Sequence, residues 1–287
     1  MSEQIQKSIY WQKQGASVKC LLCPHACVIA EGETGLCGVR KNERGRIFLL
    51  NYGQISALAL DPVEKKPLKK FKSGTMVLSA GSWGCNLCCA FCQNWQIAKE
   101  RPMTQSITAR QLVTRAMQSK NQGNIGLAYT YNEPLVAYEF VRDCAVLAKE
   151  EGLANILVSN GYINEEPLRE LAPLLDAANI DVKSFNEKFY QEVCGGSLTP
   201  VKKTVEILAE HCHLEVTTLV IPGLNDSFEE IAAIAEWLSA INKNIAYHLT
   251  RYFPCYKMNT PPTAREKLFA LQEVAAKFLT NVYVGNM

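Results

Sequence analysis

The stretch MVLSAGSWGCNLCCAFCQN (residues 76–94) decides the fold. Its apolar half, MVLSAG (76–81), has the length and composition of a buried strand. Its second half, GCNLCCAFCQN (84–94), is a glycine-led loop in which Cys85, Cys89 and Cys92 stand at the spacing C-x3-C-x2-C. A loop this short can fold three thiolates onto three corners of one iron–sulfur cube. Four-iron clusters ordinarily take four thiolates, so a set of three leaves one iron open to a substrate or cosubstrate. Phe91, just before the last cysteine, would cover such a cluster and limit solvent, which tunes its potential. Cys88 offers the alternative spacing C-x2-C-x3-C, and a zinc site or plain buried thiols would use the same residues. Trp83, Gln93, Asn94 and Trp95 flank the loop and read as packing around it.

Downstream, strands and helices alternate. GLAYTY (126–131) reads as a strand, followed by a helix with Pro134 in its first turn and Gly152 at its end. NILVSN, NIDVKS, LEVTTLVIPG and IAYHLTRYF read as further strands. Helices opened by Thr108, Thr199-Pro200 and Ser227 lie between such strands, TAREKLFALQEVAAKFL is the last helix, and NVYVGN is a short closing strand. About six βα units in series predict a parallel sheet, either a closed or partial barrel or an open doubly wound sheet. In each, function sits at the carboxyl ends of the strands, where the cysteine loop and the segments Asn132-Glu133-Pro134, Ser159-Asn160-Gly161 and Asp181-Val182-Lys183 fall. Asp181 and Lys183 share a strand face at i and i+2. His248 and Arg251 lie on or just after the last long strand; His248 reads equally as a site residue or a satisfied core histidine, and Arg251 as a clamp for a carboxylate or phosphate.

The 287 residues are 48% hydrophobic, enough for a large core, and the net charge of +2 points neither to nucleic acid nor to a membrane surface. The polar start, MSEQIQKSIYWQKQG, has no apolar signal-peptide core, and no apolar run approaches the ~18–20 residues that span a bilayer. The expected location is the cytoplasm. Lysines at 65, 66, 69, 70 and 72 read as a solvated loop rather than an anion site. A disulfide scaffold does not fit a long chain of this kind, so the 12 cysteines are expected to be ligands or buried thiols. Eight of them fall in two clusters before residue 93. The scattered four, Cys144, Cys194, Cys212 and Cys255, read most simply as small buried or semi-buried residues, and Cys194 or Cys255 could alternatively sit in the barrel mouth as a hydrogen donor.

The first of the two clusters is KCLLCPHACVIAEGETGLCGVR (19–40), which places Cys20, Cys23, Cys27 and Cys37 at C-x2-C-x3-C-x9-C. Four thiolates at short spacings suit a closed structural zinc site or a second, four-cysteine cluster, with His25 as a substitute ligand. Strands at 47–51 and 55–60 and breaks at Asp61-Pro62 and Lys66-Pro67 predict a small β-rich, cysteine-bearing segment and linker over 1–73 and a core domain over 74–287.

Cys85, Cys89 and Cys92 match the C-x3-C-x-aromatic-C motif of radical S-adenosylmethionine (SAM) enzymes, and the chain resembles that superfamily. The resemblance implies a partial (β/α)6-type barrel, TIM-like, in the α/β class. It also implies a [4Fe–4S] cluster whose open iron chelates SAM. An electron then cleaves the sulfonium, and the 5′-deoxyadenosyl radical abstracts a hydrogen. Asn132-Glu133-Pro134 is similar to the superfamily's Gly-Gly-Glu-Pro motif, which holds the SAM amino group, although Tyr131-Asn132 replaces the two glycines. LVSNGY (157–162) and IDVKS (180–184) resemble segments near SAM in pyruvate formate-lyase activating enzymes. That implies SAM-binding roles for Asn132, Glu133, Ser159, Asn160, Asp181 and Lys183, and His248 joins them as a SAM-binding candidate by its place on the last long strand. The ordered motifs C-x-x-C-P-H-x-C, G-x-x-G-x-C-G-V-R, DPVEKKPL and GCNLCCAFCQNWQI resemble the AmmeMemoRadiSam-system radical SAM enzymes. This wider resemblance implies a reductant such as flavodoxin or ferredoxin and partners of Memo or AMMECR type; from charge and hydropathy, neither nucleic acid nor membrane is expected as a partner. Many of those relatives continue into a cysteine-containing tail, whereas this chain stops at VYVGNM.

Three function classes compete. The first is a radical SAM enzyme on an unknown substrate, in one version an activase that places a glycyl radical on a partner protein. A non-catalytic cluster or zinc scaffold would need four protein ligands per metal. A metal hydrolase would want histidines and carboxylates at several strand ends, and with four histidines, two of them at 211 and 213, the chain is poorly supplied.

Overall fold

The computed structural model describes residues 8–287; residues 1–7, the start of the polar N-terminal stretch, lie outside the described residues. The N-terminal region carries β1 (Trp11–Gln14), β2 (Ser17–Cys20), β3 (Val28–Ile29), β4 (Arg40–Glu43), β5 (Arg46–Leu49), β6 (Gln54–Ile55) and β7 (Ala57–Pro62). The remaining strands are β8 (Met76–Gly81), β9 (Gln105–Ser106), β10 (Asn124–Tyr129), β11 (Ala154–Ser159), β12 (Ala177–Asp181), β13 (His213–Val220), β14 (Ala246–Arg251) and β15 (Asn281–Gly285). The α-helices are α1 (Trp95–Lys99), α2 (Ala109–Gln118), α3 (Tyr138–Glu150), α4 (Glu165–Leu171), α5 (Glu187–Phe189), α6 (Leu198–His211), α7 (Phe228–Asn242) and α8 (Arg265–Ala275).

One sheet dominates, in the order β15-β14-β13-β12-β11-β10-β8-β7. Within this sheet every pairing from β8 to β15 is parallel and follows chain order, while β9 pairs antiparallel with β6 outside it. The sheet keeps two edges, β7 and β15, so the barrel is partial. Buried residues of these strands, among them Leu127, Leu157, Ile180, Val216 and Leu249, pack against the inner faces of the helices. Helix starts follow local chemistry. Thr108 and Gln111 form a reciprocal capping box at α2, and Ser227 accepts the Glu230 N–H at α7.

Strand β7 pairs antiparallel with β8, from Ala57 opposite Gly81 to Pro62 opposite Met76. Hydrogen bonding therefore runs from the N-terminal region straight into the barrel sheet. The following segment turns under the barrel. Val63 and Leu68 pack with Val77, Ala128, Ile156 and Ala177, and Asn179 donates to the Pro67 carbonyl at 2.8 Å. This plug fills the end where the strands begin and leaves the other mouth to the cysteine loop. The lysines here divide accordingly: Lys66 is buried on Asp61 at 2.8 Å, while Lys65 stays exposed.

The N-terminal region is fastened to α3 by Arg40 and Glu139, both fully buried, with guanidinium-to-carboxylate distances of 2.8 and 3.0 Å. Among the described residues, no helix is long and apolar enough to cross a membrane.

Candidate functional site

The cysteine loop leaves β8 at its carboxyl end and feeds α1. Gly84 opens it with φ +91°, and a Cβ there would stand 2.6 Å from Val39 Cγ1 and 2.8 Å from the Cys37 carbonyl oxygen. Only glycine permits both the backbone turn and this approach. Cys85 Sγ accepts the Leu87 N–H at 3.4 Å. Cys88 is exposed and lies 3.4 Å from Lys99 Nζ, whereas Cys89 is buried and faces Cys194. Burial pushes the Cys85 and Cys92 thiols up, with the Leu87 and Asn94 amides pulling against it. Cys89 is raised by its hydrogen bond with Cys194 first and by burial second. Desolvated thiols of this kind become thiolates when a metal supplies the positive charge. A loop that presents three of them to the mouth fits a cluster with one ligand position left to another molecule.

Around the loop, three strand ends converge. Asn132 accepts the Ser82 N–H at 2.8 Å and donates to the Gly84 carbonyl at 3.0 Å, which fixes the loop's entry. Glu133 is buried and accepts from Ser159 Oγ at 2.8 Å, from the Asn160 N–H at 2.8 Å and from the Leu135 N–H at 3.0 Å. Burial nevertheless dominates and pushes its carboxyl up to about 7. Asn160 then turns its side chain toward the loop, with Nδ2 3.6 Å from Cys85 Sγ and 3.0 Å from Asn86 Oδ1. Lys183 Nζ is 2.9 Å from Asp181 Oδ2 and 5.9 Å from the centre of the Phe91 ring. Burial opposes the charge on Lys183, and Asp181 with the thiols of Cys89 and Cys194 outweighs it, so its pKa rises. Asn132, Glu133, Ser159, Asn160, Asp181 and Lys183 thus surround the cysteine loop.

His248 does not join them. Its strand position is level with Asp181 and Thr217 across β12, β13 and β14. Its Nε2, however, lies 2.6 Å from Glu215 Oε2, toward the start of the strands and away from the loop. Glu215 is fully buried and also meets His213 at 2.9 Å and the backbone N–H groups of Lys69 and Lys70 at 2.9 and 2.7 Å. Burial would raise its carboxyl, but these four donors hold it at about 2. Of the two readings of His248, site residue or satisfied core histidine, this contact supplies the partner that the second one needs. Arg251 donates through Nε to the Thr263 carbonyl at 2.8 Å.

Asn86 and the partners of Tyr131 are not singled out from sequence, whereas Cys194 and Cys255 read there as candidates for the barrel mouth. Tyr131 occupies the place of a family glycine and adopts φ +72°. Its hydroxyl donates to Asp61 at 2.7 Å, Lys66 Nζ lies 4.6 Å from its ring centre, and its carbonyl accepts from Asn94 Nδ2 at 2.8 Å. Those contacts hold a side chain in a conformation that favours glycine. Asn86 donates to the Tyr162 carbonyl at 2.6 Å, and its own carbonyl accepts from His25 Nε2 at 2.7 Å. The quoted DPVEKKPL run contained Asp61 and Lys66, but nothing in it named Tyr131 as their partner. Cys194 reaches Cys89 from a π-helical turn (Tyr190–Cys194), and Cys255 Sγ lies 3.5 Å from the Cys92 carbonyl. Among the described residues, no group of three or more His, Cys, Asp or Glu side chains is drawn together for a single metal ion.

The sequence matches the model of the Radical SAM superfamily over residues 82–238. An uncharacterized protein of Methanocaldococcus jannaschii is 36% identical over 291 residues, covering 99% of this chain and 86% of that protein. Pyruvate formate-lyase 1-activating enzyme of Escherichia coli is 24% identical over 160 residues, and the match takes in 54% of this chain and 65% of the enzyme. Among solved structures, a radical SAM methyltransferase from Sphaerobacter thermophilus aligns with TM-score 0.54 at 14% identity, over 98% of this chain and 76% of that one. The fold is shared at that distance, and nothing finer.

Proposed function

The chain belongs to the radical SAM superfamily and is related to its activating enzymes, and we propose that it carries a site-differentiated [4Fe–4S] cluster on Cys85, Cys89 and Cys92 beside a SAM site built from Asn132, Glu133, Ser159, Asn160, Asp181 and Lys183. The observation that supports this most is the double role of Asn160. Its backbone binds Glu133 at 2.8 Å and its side chain lies 3.6 Å from Cys85 Sγ, so the acidic group and the thiol loop share one wall. Held by these residues, the cluster and SAM would supply radical chemistry for removing a hydrogen atom from a substrate.

Each residue has a physical task in this reading. Glu133 offers a desolvated carboxylate to the ammonium of SAM, a charge-assisted hydrogen bond in a dry site. Asn132 holds the loop's entry through Gly84 and so sets where Cys85 stands. The Asp181–Lys183 pair fixes a cation beside Phe91, ready for an anionic or polar group of the ligand. Phe91 packs against Phe189 and keeps water from the thiols. His248 braces the wall through Glu215.

The test is spectroscopic. Addition of SAM to the reduced, anaerobically reconstituted protein should change the electron paramagnetic resonance spectrum of the cluster. Glu133→Ala should weaken that response. A spectrum indifferent to SAM contradicts the reading.

A second reading narrows the first. The activating-enzyme relatives support an activase that draws a hydrogen atom from a glycine of a partner protein. Deuterium moving from a labelled glycine of a candidate partner into 5′-deoxyadenosine would establish it. A flavodoxin- or ferredoxin-type electron donor and partners of Memo or AMMECR type belong to the same proposal.

A further inference from the structure

We propose that Cys20, Cys23, Cys27 and Cys37 hold a second iron–sulfur cluster, closed by four thiolates, against the back of the barrel's cysteine loop. All four line one cavity, together with Arg40 and Asn86. Asn86 is the residue after Cys85, so a single residue walls both thiol groups.

The turns leave room for a closed centre. Gly35, where a Cβ would stand 3.5 Å from Cys27 Sγ, leaves room beside that sulfur, and Gly38 takes φ +76° just after Cys37.

Iron–sulfur is preferred to zinc on geometry. A single ion needs its ligands drawn to one point, and no such convergence occurs among the described residues. A cube spreads its ligands to separate corners, as thiols lining a cavity do. The centre would also brace the barrel loop. His25, between Cys23 and Cys27, donates to the Asn86 carbonyl at 2.7 Å, and the Cys37 carbonyl, together with Val39 Cγ1, excludes a side chain at Gly84.

The inference stands apart from the barrel reading, and its test separates the two. The full chain is prepared anaerobically and its iron, acid-labile sulfide and zinc are counted. The wild type should hold about eight irons, and Cys85→Ala/Cys89→Ala/Cys92→Ala about four, with a reducible signal in electron paramagnetic resonance. Cys23→Ala/Cys37→Ala should remove about four irons from the wild type, which covers the case in which the barrel-loop variant does not fold. Hydrogen exchange at residues 84–92 should quicken in that double variant. One zinc with no second set of iron and sulfide, or no metal lost on Cys23→Ala/Cys37→Ala, overturns the proposal.

Discussion

Asn160 Nδ2 sits 3.6 Å from Cys85 Sγ. The contact joins the end of β11 to the loop after β8, and it makes Asn160 a tuning residue for any cluster on that sulfur. Asn160→Ala should leave the iron content unchanged and shift the midpoint potential to more negative values, because a donor to sulfur stabilises the reduced, more negative state. The variant also loses the acceptor for the Tyr162 N–H, so about 1–3 kcal/mol of stability should go with it. Potentiometric titration followed by electron paramagnetic resonance checks the first effect, and denaturant unfolding the second.

Glu133 sets a pH dependence with a definite sign. Its carboxyl is raised from the usual 4.5 to about 7 in the folded chain. The neutral form is therefore favoured by folding. Its contribution to stability is complete below 4.5 and is lost as pH rises through about 7. The melting temperature of the ligand-free protein should fall over that window, and Glu133→Gln should flatten the slope. SAM binding should run the other way, strengthening as the carboxylate ionises. At pH 8 Glu133→Gln should weaken SAM binding about tenfold to a hundredfold, the loss of one charged hydrogen bond. Calorimetry at pH 6 and pH 8 measures both.

Arg40 and Glu139 form a buried pair, and removing one partner strands the other. Arg40→Met should cost about 3–5 kcal/mol, while Arg40→Met/Glu139→Leu should recover much of that loss. Equal destabilisation in the single and double variants would contradict the assignment. Unfolding in urea, followed by circular dichroism, decides it.

Tyr131 carries the left-handed backbone at the site. Tyr131→Phe deletes the hydroxyl bond to Asp61 and keeps the strained φ, so it should destabilise by about 1–3 kcal/mol. Asp61 is held below the usual carboxylate range, since Lys66 and Tyr131 outweigh its burial. Its stabilising share is present at neutral pH and fades as pH falls below its ordinary value of 3.8. Tyr131→Phe should therefore narrow the stability difference between pH 7 and pH 3. Thermal melts at the two pH values test this.

The parts of the molecule that rest on local chemistry could be read in advance. The strand–helix alternation from Met76, the capping residues Thr108 and Ser227 and the glycine-led cysteine loop each depend on neighbours a few residues apart. What escaped the sequence depends on distant pairings. Ala57–Pro62 is an antiparallel barrel edge because it meets β8, and no pattern within that strand says so. Tyr131 finds Asp61 across 70 residues of chain. His248 illustrates the same limit, since a buried carboxylate 33 positions earlier takes its ring nitrogen.

The most direct measurement of the central claim is the formation of 5′-deoxyadenosine by anaerobically reconstituted protein given dithionite and SAM. The wild type should form the nucleoside and Cys85→Ala, Cys89→Ala and Cys92→Ala should form none, with Cys88→Ala active because that side chain is exposed. A reduced, iron-loaded protein that leaves SAM intact, or activity that survives loss of Cys85, Cys89 or Cys92, would contradict it.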